Sequence, residues 1–340
     1  MKRSIIALLW LTACSGPAAQ DTATTTLTVY TAAEADQLPV YENAFETAHP
    51  EIDLVWVRDS TGIVTAKLLA EKAAPRADAV FALAATSLMI LDTQGLLTPF
   101  APAGVERLDP TFRDTAAPPH WVGQSIWSAA ICVNTIEAKR LGLPIPETWD
   151  DLTKPVYKGA IAMPDPASSG TGMLAVAAWL QMLGEEKGWA YLDALDENIK
   201  AYTHSGSKPC KDAARGEVTI GISFDFRAAN LKSEGAPLEV VVPASGVGWD
   251  VEAAAIIAGT QNQAAAETFL NWAVSDKAMS LYANNFALVA VTERSRPLEN
   301  LPADMQQRLA PVSLAWTAEN RERVLAEWTR RFEGKSEPAP

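Results

Sequence analysis

The sequence predicts an α/β chain of two domains built on parallel sheets. Three observations lead there. The 340 residues exceed what one ordinary hydrophobic core organises. From Leu27 onward, strand-type and helix-type apolar patterns alternate. Polar loops rich in Ser, Thr and Gly recur where a strand pattern gives way to a helix pattern. With 48% hydrophobic and 20% charged residues, the composition is that of a globular protein.

The N-terminus reads as a processing signal rather than structure. Lys2 and Arg3 precede a short apolar stretch, Ile5 to Leu11, and Leu11-Thr12-Ala13-Cys14 has the form of a lipobox. Residues 1–13 are then the signal, Cys14 the lipidated first residue, and 14–26 a tether rich in Ala, Thr and Ser. A plain secretory signal cut near Ala18-Ala19 is the alternative. Removing Lys2 and Arg3 takes the net charge from −13 to −15, which excludes a nucleic-acid partner because binding one needs a basic face. No apolar run is long enough to span a bilayer. In an exported chain the remaining pair, Cys132 and Cys210, either forms a disulfide or stays as two buried thiols; spacing alone does not choose.

Leu27 to Tyr30 is the first strand. A helix follows to about Ala48, with Leu38, Tyr41, Phe45 and Ala48 at helical spacing and Pro39 tolerable in its first turn. Ile52 to Val57 alternates as a second strand. Arg58-Asp59-Ser60-Thr61-Gly62 leads into a helix from Ile63 to about Ala73. Ala77 to Ala82 is a third strand, and Thr86 with Ser87 opens the next helix. Strand–helix alternation of this kind implies a parallel sheet, with ligands bound outside the C-terminal strand ends. Hydroxyls stand at each such end: Thr31, then Ser60 with Thr61, then Thr86 with Ser87.

Residues 95–119 are Pro-rich and loop-like, and the extended stretch ending at Val133 carries the chain to a second domain. The apolar run Ala160 to Met163, the loop Pro164-Asp165-Pro166-Ala167-Ser168-Ser169-Gly170-Thr171-Gly172 and the apolar run Met173 to Leu183 read as strand, tight loop and helix. Two helices, about 173–183 and 186–197, come next. Thr203-His204-Ser205-Gly206-Ser207-Lys208-Pro209-Cys210 is a second polar loop before a helix, and Val218 to Ser223 is a strand ending in Phe224-Asp225-Phe226-Arg227. Ala253 to Ala258 is a return strand, followed by helices at about 261–274, 276–283 and 313–332.

Three histidines, no Gly-x-Ser-x-Gly elbow, no phosphate loop and no His-Glu-x-x-His leave no acid–base pair or metal-ligand cluster in view. The chain is therefore read as a binding protein, without catalytic residues, cofactor or metal. Hydroxyls and glycines before helix starts suit an anion, since a helix N-terminus carries unpaired N–H groups and the positive end of a dipole. Each loop also reads as an ordinary helix cap. Charges near the strand ends are Glu34, Arg58, Asp59, Lys208, Asp225 and Arg227. Carboxylates beside an anion site make sense if the ligand is a zwitterion, with a phosphonate or phosphate at one end and an ammonium at the other. Otherwise Glu34 and Asp225 are solvated or paired with Arg227.

The lipobox, the two alternating halves and the loop at Ser168 resemble the substrate-binding proteins of bacterial ABC importers. Five segments in order, Leu27 to Asp36, Trp56 to Ile63, Ala84 to Ser87, Pro166 to Gly172 and Thr203 to Cys210, resemble the 2-aminoethylphosphonate-binding proteins among them. The resemblance covers roughly residues 27–336. It implies a type II periplasmic-binding fold, with residues 27–125 plus 252–340 in one lobe and 126–251 in the other, closing by a hinge. It implies a monomer in the periplasm, anchored through Cys14, that delivers 2-aminoethylphosphonate to an inner-membrane permease. The phosphonate would lie among Ser60, Thr61, Thr86, Ser168, Ser169, Gly170, Thr171 and Ser207, and the ammonium on Glu34 and Asp225, with Arg227 alongside and Trp127 walling the cleft. Related ferric-ion-binding proteins use an adjacent Tyr pair, where this sequence has Phe224-Asp225-Phe226. Ferric ion, a phosphate ester or a polyamine remain as other solutes, a phosphonate or phosphate-ester hydrolase as a rival activity, and a ligand-free structural lipoprotein as a third reading.

Overall fold

The computed structural model describes residues 24–338, so the signal, Cys14 and the tether up to residue 23 lie outside the described residues. The expected tether is shorter than 14–26: the first strand, β1, already begins at Thr25, where the Thr25 N–H donates to the Glu51 carbonyl.

The chain opens as the alternation requires. β1 (Thr25–Thr31), α1 (Leu38–Ala48), β2 (Ile52–Arg58), α2 (Thr61–Ala70), β3 (Ala79–Ala84) and α3 (Ala85–Thr93) place β1 between β2 and β3, parallel to both. β3, Ala-Val-Phe-Ala-Leu-Ala, is buried along its whole length, as a central strand covered on both faces must be. A short β4 (Leu97–Thr98) and the Pro-rich segment lead to β5 (Val122–Asn134), whose thirteen residues are all buried.

β5 joins the two halves. Its first part pairs antiparallel with β10 (Trp249–Ile257), and from Ala129 to Val133 it pairs with β8 (Ile220–Phe224). Between these lie α4 (Thr135–Leu141), β6 (Ile161–Pro164), α5 (Gly170–Leu183), α6 (Glu185–Asp196), β7 (Ile199–Thr203) and α7 (Lys208–Arg215); α8 (Asp225–Ser233) and β9 (Leu238–Val241) follow β8. The strand order is β2-β1-β3-β10-β5-β8-β6-β7, so β5 and β10 at its centre carry the chain from one lobe to the other. After β10 come α9 (Gln263–Ala273), α10 (Asp276–Tyr282), β11 (Leu288–Val289), α11 (Met305–Arg308) and α12 (Leu314–Phe332).

Each lobe has its own aromatic core. In the first, Phe81 packs among Tyr41, Trp56, Phe269 and Tyr282, and Phe45 meets Phe269 edge-on at 5.1 Å. In the second, Trp179 sits between Trp149 and Tyr191. The C-terminal helix α12 touches both halves. Its first turns, Leu314 to Glu322, lie beside Met89 to Thr93 of α3 in the first lobe, while Trp328 lies 4.8 Å from Tyr202 edge-on, and the Arg331–Asp193 and Lys335–Asp196 pairs face the second half. The apolar stripe Val324, Trp328, Phe332 is what seats the helix there.

Cys132 on β5 and Cys210 in α7 are buried with Cα atoms 5.4 Å apart and are joined as a disulfide. It ties the helix behind the 203–207 loop to the strand that crosses between lobes. Among the described residues no helix is long and apolar enough to cross a membrane.

Candidate ligand cleft

A small, partly open cavity of about 50 Å³ lies where strand ends of both lobes meet. From the first lobe it is lined by Ala32, Glu34, Arg58, Ser60, Thr61, Ala82 and, on the crossing strands, Trp127 and Glu252. From the second come Ser169, Gly170, Thr171, Ser205, Gly206, Phe224 and Phe226.

Helix starts explain the polar lining. α2 begins at Thr61 and α5 at Gly170, each two or three residues earlier than their apolar patterns suggest, so the hydroxyl loops form the first turns themselves. Ser60 precedes α2 without using its hydroxyl as a cap, whereas the Ser169 hydroxyl accepts from the Gly172 N–H at 3.4 Å. α8, which the sequence reading ran on as strand end, starts at Asp225 and points its N-terminus the same way. The N-termini of α2 and α5, at Thr61, Gly170 and Thr171, therefore border the cavity, and the positive ends of these helices favour an anion there.

The lobes meet closely enough to require glycine. The Gly62 N–H donates to the Ser168 carbonyl at 2.8 Å, and a Cβ on Gly62 would strike the Ala167 and Ser168 carbonyl oxygens. A Cβ on Gly170 would come within 2.7 Å of the Thr61 hydroxyl oxygen. His204 Nε2 reaches the Asp59 carboxylate at 3.3 Å across the same seam. Ala82 has φ of 48°, a left-handed backbone that a non-glycine residue adopts only under constraint; the Gln124 side chain accepts its N–H at 2.9 Å.

Seven of the residues expected at the ligand line the cavity: Glu34, Ser60, Thr61, Trp127, Ser169, Gly170 and Thr171. Five do not, and each is already engaged. Thr86 donates to Asp250 at 2.6 Å. Ser168 donates to the His204 carbonyl at 2.8 Å. The Ser207 hydroxyl accepts from Lys211 at 3.1 Å. Asp225 accepts from the Ser128 hydroxyl at 2.9 Å and from the Phe226 N–H at 2.8 Å. Arg227 binds Glu34 at 2.9 Å and Asp36 at 2.9 and 3.1 Å.

Glu34 is thus not free for a ligand cation. Its carboxylate accepts from Arg227 at 2.9 Å and Lys211 at 3.0 Å, with Arg58 at 3.8 Å. The Arg58 Nε donates to the Ala33 carbonyl at 2.9 Å, and Arg58 itself faces the cavity. Three cations around the Glu34 and Asp36 carboxylates leave this corner with a net positive charge.

Glu252, Ser205, Gly206 and the two Phe rings escaped notice as site residues. Glu252 had a sequence signal: it is the lone charged side chain between Val251 and Ile257. Burial pushes its carboxyl up to about 8, the Ser125 hydroxyl bond at 3.2 Å opposes this, and the charges of Asp225 and Glu34 add to it. Burial likewise raises Asp225 and Asp250 to about 6.

Residues 82–314 match the sequence profile of the bacterial extracellular solute-binding proteins. The chain belongs to this family. It is 34% identical over 234 residues to an uncharacterised protein of Haemophilus influenzae, covering 68% of each chain. To a probable ABC transporter periplasmic-binding protein of Sinorhizobium fredii it is 26% identical, over 83% of this chain and 78% of the relative. Among solved structures it is similar to the periplasmic binding protein AfuA of Actinobacillus pleuropneumoniae with fructose-6-phosphate bound, with a TM-score of 0.84 and 29% identity over 91% of this chain and 99% of that one. The two-lobed type II fold and the role of a periplasmic solute-binding component of an ABC transporter, working with a membrane permease, follow from these likenesses. The relatives are transport receptors, not enzymes.

Proposed function

We propose that this solute-binding protein takes up a small phosphonate or phosphate that also carries an amine, with 2-aminoethylphosphonate as the ligand. The observation that carries the reading is the composition of the cavity: hydroxyls and helix N-termini from both lobes, Arg58, and a carboxyl at Glu252 without a cation. The oxyanion lies among Ser60, Thr61, Ser169, Thr171 and Ser205, with backbone N–H groups of α2 and α5 and the Arg58 guanidinium. Charge-assisted hydrogen bonds of this kind contribute roughly 1.5–3 kcal/mol each, without simple additivity. The mature chain's negative charge does not oppose this, since ionic strength screens it beyond about 8 Å.

Size argues for the small ligand. A cavity of about 50 Å³ accommodates only a few water-sized groups, at roughly 10–15 Å³ each. A phosphonate on a two-carbon chain is much closer to this scale than a hexose phosphate, which would need the cleft to open further. The likeness to AfuA supports the sugar phosphate as the second reading, since the same donors serve either oxyanion. Iron finds little support. Phe224 and Phe226 present hydrocarbon where ferric ion needs anionic oxygen donors.

Titration calorimetry separates these readings. We expect saturable heat with 2-aminoethylphosphonate and weak or no heat with fructose-6-phosphate. Heat from the sugar phosphate alone would overturn the size argument, and no heat from either would overturn the oxyanion site. The reading includes a monomer anchored through a lipidated Cys14. Light scattering of the mature chain and mass analysis of its N-terminus check these two points.

A further inference from the structure

We infer that Glu252 is the residue that selects for an ammonium group on the ligand. This rests on the small-phosphonate reading and adds a specificity determinant to it. The side chain is half-buried, and it lines the cavity. One carboxylate oxygen accepts from the Ser125 hydroxyl at 3.2 Å; among the described residues no Lys, Arg or His forms an ion pair with it. A carboxyl turned into the cavity without a cation has acceptor capacity that a ligand donor can use.

The strand register supplies the surroundings. Glu252 on β10 lies opposite Ser125 on β5, and Trp127, two residues further along β5, shares the face of Ser125. The Trp127 ring therefore lines the same wall, where an aromatic face attracts a cation. The other groups that act on Glu252 are not cationic: Asp225 at the start of α8, Glu34 after β1, and the phenols Tyr41 on α1 and Tyr282 on α10. Arg58, across the same lining, is drawn toward Glu34.

Burial holds the Glu252 carboxyl above neutrality, so it carries its proton at pH 7. An incoming ammonium favours the carboxylate. The O–H bond of Glu252 breaks, its electrons stay on the oxygen, the proton leaves to solvent, and the ammonium keeps its own protons while donating to the carboxylate. Binding an aminophosphonate thus expels a proton that binding to a Glu252→Gln variant does not.

The test compares 2-aminoethylphosphonate with ethylphosphonate on the wild-type chain, Glu252→Gln and Glu252→Asp, by calorimetry at pH 7 in two buffers of different ionisation enthalpy. The wild type is expected to prefer the amine by roughly tenfold to a hundredfold. The Gln variant should bind both ligands alike and release close to one proton fewer with 2-aminoethylphosphonate. The Asp variant, which keeps a carboxyl, should recover part of the preference. Using one ligand on both proteins cancels the ligand's own ionisation. A Gln variant that keeps the preference, or an unchanged proton count, overturns the inference. Equal wild-type affinity for the two phosphonates overturns it while leaving the phosphonate reading intact, and a wild type that binds neither overturns both.

Discussion

Glu34 and Glu252 face the same cavity and are the same residue, yet they are in opposite electrostatic states. Glu34 is surrounded by Arg227, Lys211 and Arg58, and it anchors first-lobe backbone to second-lobe side chains. Glu252 has one neutral hydroxyl donor from the adjacent strand. The difference teaches that a carboxylate's role here is decided by what the other half of the chain brings to it. Arg227 stands 193 residues from Glu34, and Ser125 stands 127 from Glu252.

The sharpest break between the corners is thermodynamic. Arg227→Ala strips Glu34 of its most buried partner, and removing one member of a buried pair typically costs about 3–5 kcal/mol. Glu252→Gln replaces a carboxyl that is already protonated at neutral pH and should cost under about 1 kcal/mol. Urea unfolding at pH 7 measures both. Similar midpoints for the two variants would erase the distinction.

The corners also respond oppositely to pH. The folded Glu252 carboxyl is raised from 4.5 to about 8, so between those values the folded chain holds more protons than the unfolded one. Stability therefore falls as pH rises through that window, by at most about 5 kcal/mol in all, and levels off above it. Asp225 and Asp250, raised to about 6, add to the fall in its lower part. Asp36 behaves the other way. The Arg227 hydrogen bond holds its carboxyl below the usual range, so its contribution is lost as pH drops through the acid region. Melting curves from pH 4 to pH 9 should show Glu252→Gln flattening the upper limb alone. A wild type that gains stability from pH 6 to pH 8 would contradict the burial of Glu252.

Much of this architecture was legible in the chain. The alternation of Leu27 to Gln94 announced a parallel sheet, and Ser60, Thr61, Ser169, Gly170 and Thr171 stood out because hydroxyls before helices form a local pattern. What local pattern cannot carry is pairing at a distance. Thr86 looks identical to Thr61 in sequence, but Asp250, 164 residues on, claims its hydroxyl. Asp225 sat at a plausible strand end, and its engagement with Ser128 on β5 is visible only in three dimensions. Glu252 carries no such local pattern, because it sits within a strand and its cavity is formed by residues distant in sequence. The contacts of the last helix were hidden for the same reason: an amphipathic stripe shows that a helix packs, not that its two ends meet different lobes.

Gly62→Ala separates the corners mechanically. The added Cβ would clash with the Ala167 and Ser168 carbonyl oxygens and displace the cross-lobe hydrogen bond at Gly62. Keeping the lobes apart draws Arg227 and Lys211 away from Glu34 but leaves Glu252 with Ser125, because β5 and β10 pair directly. Overpacking of this kind costs roughly 1–3 kcal/mol, here expressed as weaker ligand binding with the lobes still folded. Calorimetry beside near-ultraviolet circular dichroism tests it, and wild-type affinity in the variant would remove the cross-lobe contact from the closure.

The same reasoning extends to the hydroxyls, where the effects are smallest. Ser60 lines the cavity, and its hydroxyl does not cap α2. The Ser168 hydroxyl lies off the cavity and already donates to the His204 carbonyl. Ser60→Ala should weaken 2-aminoethylphosphonate by about 0.5–1.5 kcal/mol, a severalfold change, with the unfolding midpoint unmoved. Ser168→Ala should do the reverse, lowering stability slightly and leaving affinity near wild type. Because both side chains are serine and both stand before a helix, sequence alone ranks them equally. If Ser168→Ala weakened binding more than Ser60→Ala, then an engaged hydroxyl would be outperforming a free one, and occupancy by protein partners would not be what sorts ligand contacts from structural ones in this cleft.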